Sequence, residues 1–226
     1  MSPELRARWE RETRRIYSRY QREFVEGHTI CPWAERARNT GSVRVRVDLS
    51  AELDPDQAAG QCREIAEDKN VEIGLLIFPR ASLDRRGFER FASTVRRLLP
   101  PREFPMAIAA FHPAAPPPDA ETIRRQPAQL VPFLRRSPDP TLQLVHESAL
   151  ARVRRGEKHG TGFIDPELLG SMDLALQLQD EGPPLHERVA ARNAEAVLEV
   201  GVNAFETLFE DIRRDRDESY RKLGEL

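Results

Sequence analysis

Apolar positions along the chain alternate between helical and strand periods. Leu5, Trp9, Ile16, Tyr20 and Phe24 recur near every 3.6 residues, which predicts a long amphipathic helix over residues 3–26 ended by Gly27. "VRVRVDL" then alternates strictly. It reads as a half-buried strand near a sheet edge, with Arg44 and Arg46 facing outward. Asp54, Pro55 and Gln57 form an N-cap, a first-turn proline and a capping-box partner, launching a helix through about residue 68. "EIGLLIFP" and "MAIAAFHP" are continuously apolar, as strands covered on both faces are, and they frame a helix over 84–99 with core stripe Phe88, Phe91, Val95 and Leu98.

This strand–helix alternation predicts parallel pairing with right-handed crossovers, with "EIGLLIF" beside "MAIAAF". "TLQLVH" at 141–146 adds a fourth strand, whose direction the pattern leaves open. The expected fold class is α/β: a mixed, mainly parallel four-stranded sheet with helices packed on it and long helices at both termini. Residues 113–140 hold eight prolines and cannot be regular throughout; a connection of that length is functional or disordered. "LARVRR" extends a short helix, "DPELLGSMDLALQLQ" reads as another, and "GPP" at 182–184 breaks the chain. One last helix is expected from near Leu185, packing through Leu198, Val202, Phe205, Phe209 and Ile212. The 226 residues suit a single α/β domain with a helical insertion at about 155–185.

Charge changes this picture little. Lys plus Arg at 35 nearly balances Asp plus Glu at 37, so no global field recruits nucleic acid or an anionic membrane. The arginine-rich first helix reads as a solvated face. No apolar run spans a bilayer and no secretory leader is evident, so the expected location is cytoplasmic. Two cysteines without a CxxC or a zinc spacing argue against a disulfide framework and structural zinc. No metal ligand set is expected, and no motif names a cofactor.

Candidate chemistry gathers where strands end. In parallel sheets ligands bind outside the carboxyl ends, here Asp48, Pro79-Arg80 and His112-Pro113. His112 ends an apolar strand and offers neutral-pH acid/base capacity, although a hydrogen-bonded structural histidine fits the same position. Cys31 stands before Pro32 at a helix start, where backbone N–H groups favour thiolate; a small buried side chain fits equally. Cys62 shares a stripe with Ala58 and Ile65 and reads as core. Arg135 and Arg136 precede the stiff "SPDPT", which suits bidentate capture of an anion. "GEKHGTG" at 156–162 lacks the ending of a phosphate loop and reads as a flexible loop.

Cys31-Pro32-Trp33-Ala34, Phe111-His112-Pro113, Arg136-Ser137-Pro138 with Pro140-Thr141-Leu142 and Glu147, and Arg192-Asn193 resemble, in order and approximate spacing, a bacterial domain-of-unknown-function family. That family shows Cys-Pro-Phe-Ala, Phe-His-Pro, Arg-Ser-Pro-Tyr-Pro-Thr-Leu-His-Leu-Leu-Arg-Glu and a late Arg-Asn. This chain departs with Trp33 for Phe, Asp139 for Tyr, Gln143 for His and His146 for Arg. The resemblance implies no activity. It marks Cys31 and His112 as catalytic candidates and Arg136, Ser137, Glu147, Arg192 and Asn193 as binding candidates.

Two functional readings follow from these residues. In one, the protein is an enzyme acting on a small anionic substrate, with Cys31 as nucleophile or redox thiol, His112 as acid/base and Arg136 as anion clamp. In the other, it is a non-catalytic small-ligand-binding or interaction domain in which Cys-Pro and His-Pro fix loop geometry. A third and weaker one has Cys31 and His112 ligating a transition metal or haem iron. The geometric discriminator is whether Cys31, His112 and Arg136 line one pocket.

Overall fold

The computed structural model describes residues 1–28, 30–115, 117–154 and 185–224. Helix α1 (Pro3–Tyr20) runs on into a π-helical turn, Gln21–Glu26. Gly27 ends it without a left-handed backbone, at φ −59°. A Cβ there would meet the Glu23 carbonyl at 2.5 Å, so close approach is what requires glycine. Next come α2 (Pro32–Asn39), β1 (Val43–Val47), α3 (Pro55–Ala66), β2 (Ile73–Ile77), α4 (Arg85–Arg97) and β3 (Met106–Phe111). The proline-rich stretch coils into α5 (Ala120–Arg125), a 3-10 turn and α6 (Val131–Leu134) before β4 (Thr141–His146) and α7 (Glu147–Arg154). The single terminal helix expected from the sequence is two, α8 (Leu185–Val200) and α9 (Val202–Gly224). They are separated by Gly201, whose φ of 93° no helix continues through. The 155–185 insertion, with its expected helix and "GEKHGTG", lies outside the described residues apart from Leu185.

The sheet order is β1-β2-β4-β3. Only β1 and β2 pair in parallel; β4 is antiparallel to both β2 and β3. This corrects two expectations, that the sheet is mainly parallel and that β2 lies beside β3. β4 inserts between them, pairing Thr141 with Ile77 on one side and Phe111 on the other. A continuously apolar strand records that both faces are covered, not which strand satisfies its edge, and the 112–140 connection is long enough to return the chain to that position. β1, β2 and β3 still run in one direction. Their carboxyl ends therefore share an edge, which the start of β4 also reaches.

Helices cover both faces. On one, α3 and α4 bury Cys62, Ile65, Phe88, Phe91 and Val95 against Leu76, Ile108, Leu142 and Leu144. Gly74 permits close contact there, since a Cβ would meet Ile65 Cγ2 at 2.5 Å. On the other, α1, α2, the 123–134 turns and α9 bury Ile16, Tyr20, Phe24, Phe133, Phe205 and Phe209 over Ile73, Leu75 and Ile77. Arg15 grips Asp215 with both terminal nitrogens (3.0 and 2.6 Å), and Trp9 packs on Tyr220 at 4.7 Å, so the two ends of the chain are clasped together.

Candidate functional site

The segment that enters β4 is the most buried polar stretch at the shared edge. Arg136, Ser137, Asp139 and Thr141 are each at most 2 % exposed. Its backbone is fastened on every side: the Tyr20 hydroxyl donates to the Arg136 carbonyl (2.6 Å), His112 N–H to the Arg135 carbonyl (3.1 Å) and Phe78 N–H to the Pro140 carbonyl (2.9 Å). Ser137 Oγ and Thr141 Oγ1 both donate to the Asp139 carbonyl, at 2.5 and 2.9 Å.

Arg136 is buried, its side chain 2 % exposed. Its guanidinium is sandwiched between the rings of Phe133 (4.3 Å) and Phe209 (4.1 Å). Nη1 donates to Glu206 Oε1 at 3.0 Å, while Nη2 meets Oε2 at 2.7 Å off the hydrogen-bonding direction. Three residues on, the Asp139 carboxylate accepts from Arg216 Nε (2.9 Å) and the Tyr220 hydroxyl (2.8 Å). Burial pushes the Asp139 carboxyl above the usual carboxylate range, and Arg216 and Tyr220 oppose that rise. Glu206, Arg216 and Tyr220 all belong to α9. The sequence has no signal for such partners, which lie far away along the chain among the charged positions of the terminal helix.

Cys31 is the N-cap of α2 with Pro32 at its first turn, as the Cys-Pro pair predicts. Its side chain is 5 % exposed and lines a chamber with Tyr17, Tyr20, Gln21, Phe111 and Gln143. The chamber holds only about 40 Å³, space on the scale of a water molecule rather than a substrate. Gln143, which lines it too, stands where the resembling motif has histidine. Burial, and then the neighbouring Cys31, hold the Tyr17 hydroxyl protonated far above its ordinary range.

His112 turns the other way, because successive residues at a strand end point to opposite faces. Phe111 enters the Cys31 chamber, while the His112 ring lies 6.1 Å from that of Phe88, in the core under α4. Its Nε2 donates to the Leu83 carbonyl (3.0 Å) and its Nδ1 accepts from Ala114 N–H (3.1 Å), which fixes a neutral tautomer. Desolvation lowers its pKa below 6.5. Cys31 and His112 thus line separate pockets.

His112 belongs to a cleft of about 510 Å³ between α4 and the 128–135 turns, at the carboxyl end of β3. Phe88, Ala110, Val131 and Pro132 give it an apolar floor, and Arg85, Arg96 and Arg135 line it against a single carboxylate, Glu89. Arg96 Nε is buried and makes no hydrogen bond among the described residues. Arg85, Glu89, Ser93 and Arg96 recur at helical spacing beside the apolar stripe of α4, so this wall of the cleft has a periodic signal in the sequence that strand ends do not carry.

The remaining site candidates lie elsewhere. Glu147 starts α7 beyond the far end of β4, its N–H on the Pro105 carbonyl, so the six-residue strand, roughly 20 Å long, separates it from Ser137. Asn193 is buried on α8. Arg192 is on the same helix, and its side chain falls outside the described part.

A family model described as "Protein of unknown function (DUF1415)" matches residues 13–159, more than half of the chain. The chain belongs to that family. The DUF1415 span holds all four strands, the Cys31 chamber and the α4 cleft, whereas Asn193, Glu206 and Arg216 follow it. No curated protein matches the chain, and no solved structure does. No helix among the described residues is long and apolar enough to cross a membrane.

Proposed function

We propose that the protein binds a small anionic molecule with an apolar body in the α4 cleft, without covalent turnover. The observation that carries this reading is the cleft's composition: Arg85, Arg96 and Arg135 over an apolar floor, with the buried Arg96 Nε unpartnered among the described residues. An unpaired buried donor carries a desolvation cost of about 1–3 kcal/mol that an anion would relieve. The volume suits a small ligand. An enzymatic form with a Cys31–His112 pair needs both groups in one pocket, and both nitrogens of His112 already serve backbone partners. His112 therefore shapes the cleft wall, Arg96 and Arg135 take the anion, and Phe88 and Val131 hold the apolar body.

Thermal unfolding with phenyl phosphate, benzoate and inorganic phosphate tests this. Phenyl phosphate at a hundred times its Kd stabilises by about 2.7 kcal/mol through linkage. Arg96→Met removes the shift without lowering the unliganded midpoint, since it also removes the unpaired donor. No shift with any aromatic anion, or an equal shift in Arg96→Met, sinks the reading.

A further inference from the structure

A second cavity, of about 520 Å³, opens at the carboxyl end of β1. One wall is α1, which presents Arg6 and Arg14 two turns apart; neither guanidinium makes a hydrogen bond or ion pair among the described residues. Arg80 also lines it, its Nη1 donating to the Leu49 carbonyl at 3.1 Å. Asp48 lines the same cavity, 6 % exposed and accepting from Ser50 N–H (2.8 Å) and Gln57 Nε2 (3.2 Å). One turn along α3, Gln61 Oε1 is buried and makes no hydrogen bond among the described residues. Gln57 was expected to close a capping box on Asp54. Its side chain instead reaches across to Asp48, so the start of α3 is built around this cavity.

The lining is chemically unlike the α4 cleft. It is mostly polar, combining guanidinium donors with a buried carboxylate and an amide oxygen that is unpartnered among the described residues. Arginines suit phosphate, while Asp48 and Gln61, both acceptors, suit ligand hydroxyls. Glu10, between Arg6 and Arg14, and Arg46, already joined to Glu64, leave the cationic side in excess. We propose that this cavity is a separate binding site for a phosphorylated, hydroxyl-rich small molecule of the sugar phosphate class. Arg6, Arg14 and Arg80 receive the phosphate, and Asp48 and Gln61 accept from hydroxyls. The site does not rest on the α4 cleft.

Calorimetry on the full chain with ribose 5-phosphate, inorganic phosphate and ribose tests the assignment. Ribose 5-phosphate is expected to bind at least about tenfold more tightly than phosphate, and ribose not detectably. The double change Arg6→Ala with Arg14→Ala is expected to weaken ribose 5-phosphate by about tenfold or more without moving the unliganded unfolding midpoint. Gln61→Leu is expected to narrow the gap between ribose 5-phosphate and phosphate, and Arg96→Met to leave ribose 5-phosphate binding unchanged. Absence of binding at about 1 mM overturns the proposal. So does binding that survives the arginine double variant, and so does binding lost in Arg96→Met, which would move the ligand to the α4 cleft.

Discussion

Arg216 Nε donates to Asp139 Oδ1 at 2.9 Å, joining the last helix to the buried turn that feeds the central antiparallel strand. Asp139 is nearly inaccessible, Arg216 lies over the Tyr220 ring at 4.6 Å, and its Nη2 also caps the Pro79 carbonyl at 3.2 Å. One guanidinium thus fastens the end of β2, the start of β4 and α9. Arg216→Ala is expected to cost about 3 kcal/mol or more, since breaking a buried pair strands the remaining charge. Combining it with Asp139→Asn should recover part of that loss. Urea unfolding of the four-member cycle measures the coupling; additive losses would show that the pair is not a unit.

Arg136→Lys keeps the charge but gives up the flat contact with Phe133 and Phe209 and the two-nitrogen approach to Glu206. A loss of about 1–2 kcal/mol is expected from stacking and fork geometry together. This reverses the expectation, drawn from the stiff proline-flanked segment, that the arginine faces an anion. An unchanged urea midpoint would restore that expectation.

Stability should fall as pH drops below about 6.5. Desolvation holds His112 neutral in the fold, and Arg85 reinforces this while the Leu83 carbonyl, Asp84 and Glu89 oppose it. His28, also desolvated, shifts the same way. With folded pKa values below the unfolded one, the unfolded chain binds more protons between them, so stability is full above 6.5 and is lost as pH falls towards the folded values. His112→Gln is expected to show a shallower slope in urea unfolding across that window. The ring nitrogens of the wild type, followed by NMR, should show the Nε2–H tautomer titrating below 6.5; titration at or above 6.5 contradicts the geometry.

The two cysteines should differ towards iodoacetamide. Burial pushes the Cys62 thiol up to about 12, and its side chain is fully enclosed between α3 and the sheet, so it should stay unmodified until the protein unfolds. Cys31, at a helix start beside a small chamber, is expected to react first. Peptide mapping of partly labelled native protein decides this, and equal labelling would remove the distinction.

Much of this fold follows from local rules. Spacing and capping place α1, α3 and α4, and the N-cap position of Cys31 follows from Pro32. Alternation in "VRVRV" puts β1 at an edge with Arg44 outward, and the unbroken apolar runs of β2 and β3 require cover on both faces. Those features depend on neighbours a few residues away, where the chain constrains its own geometry. Tertiary structure alone decides that β4 divides β2 from β3, because strand adjacency is a competition between distant edges that hydrophobicity does not record. It also decides that Cys31 and His112 look to opposite faces, since one residue of strand register reverses a side chain's direction. Arg136 reads in sequence as an anion clamp, and Asp139 only as a departure from the family's tyrosine. They are buried because α9 brings Glu206, Arg216 and Tyr220 to them from across the chain, and burial of a charge depends on the partner that arrives.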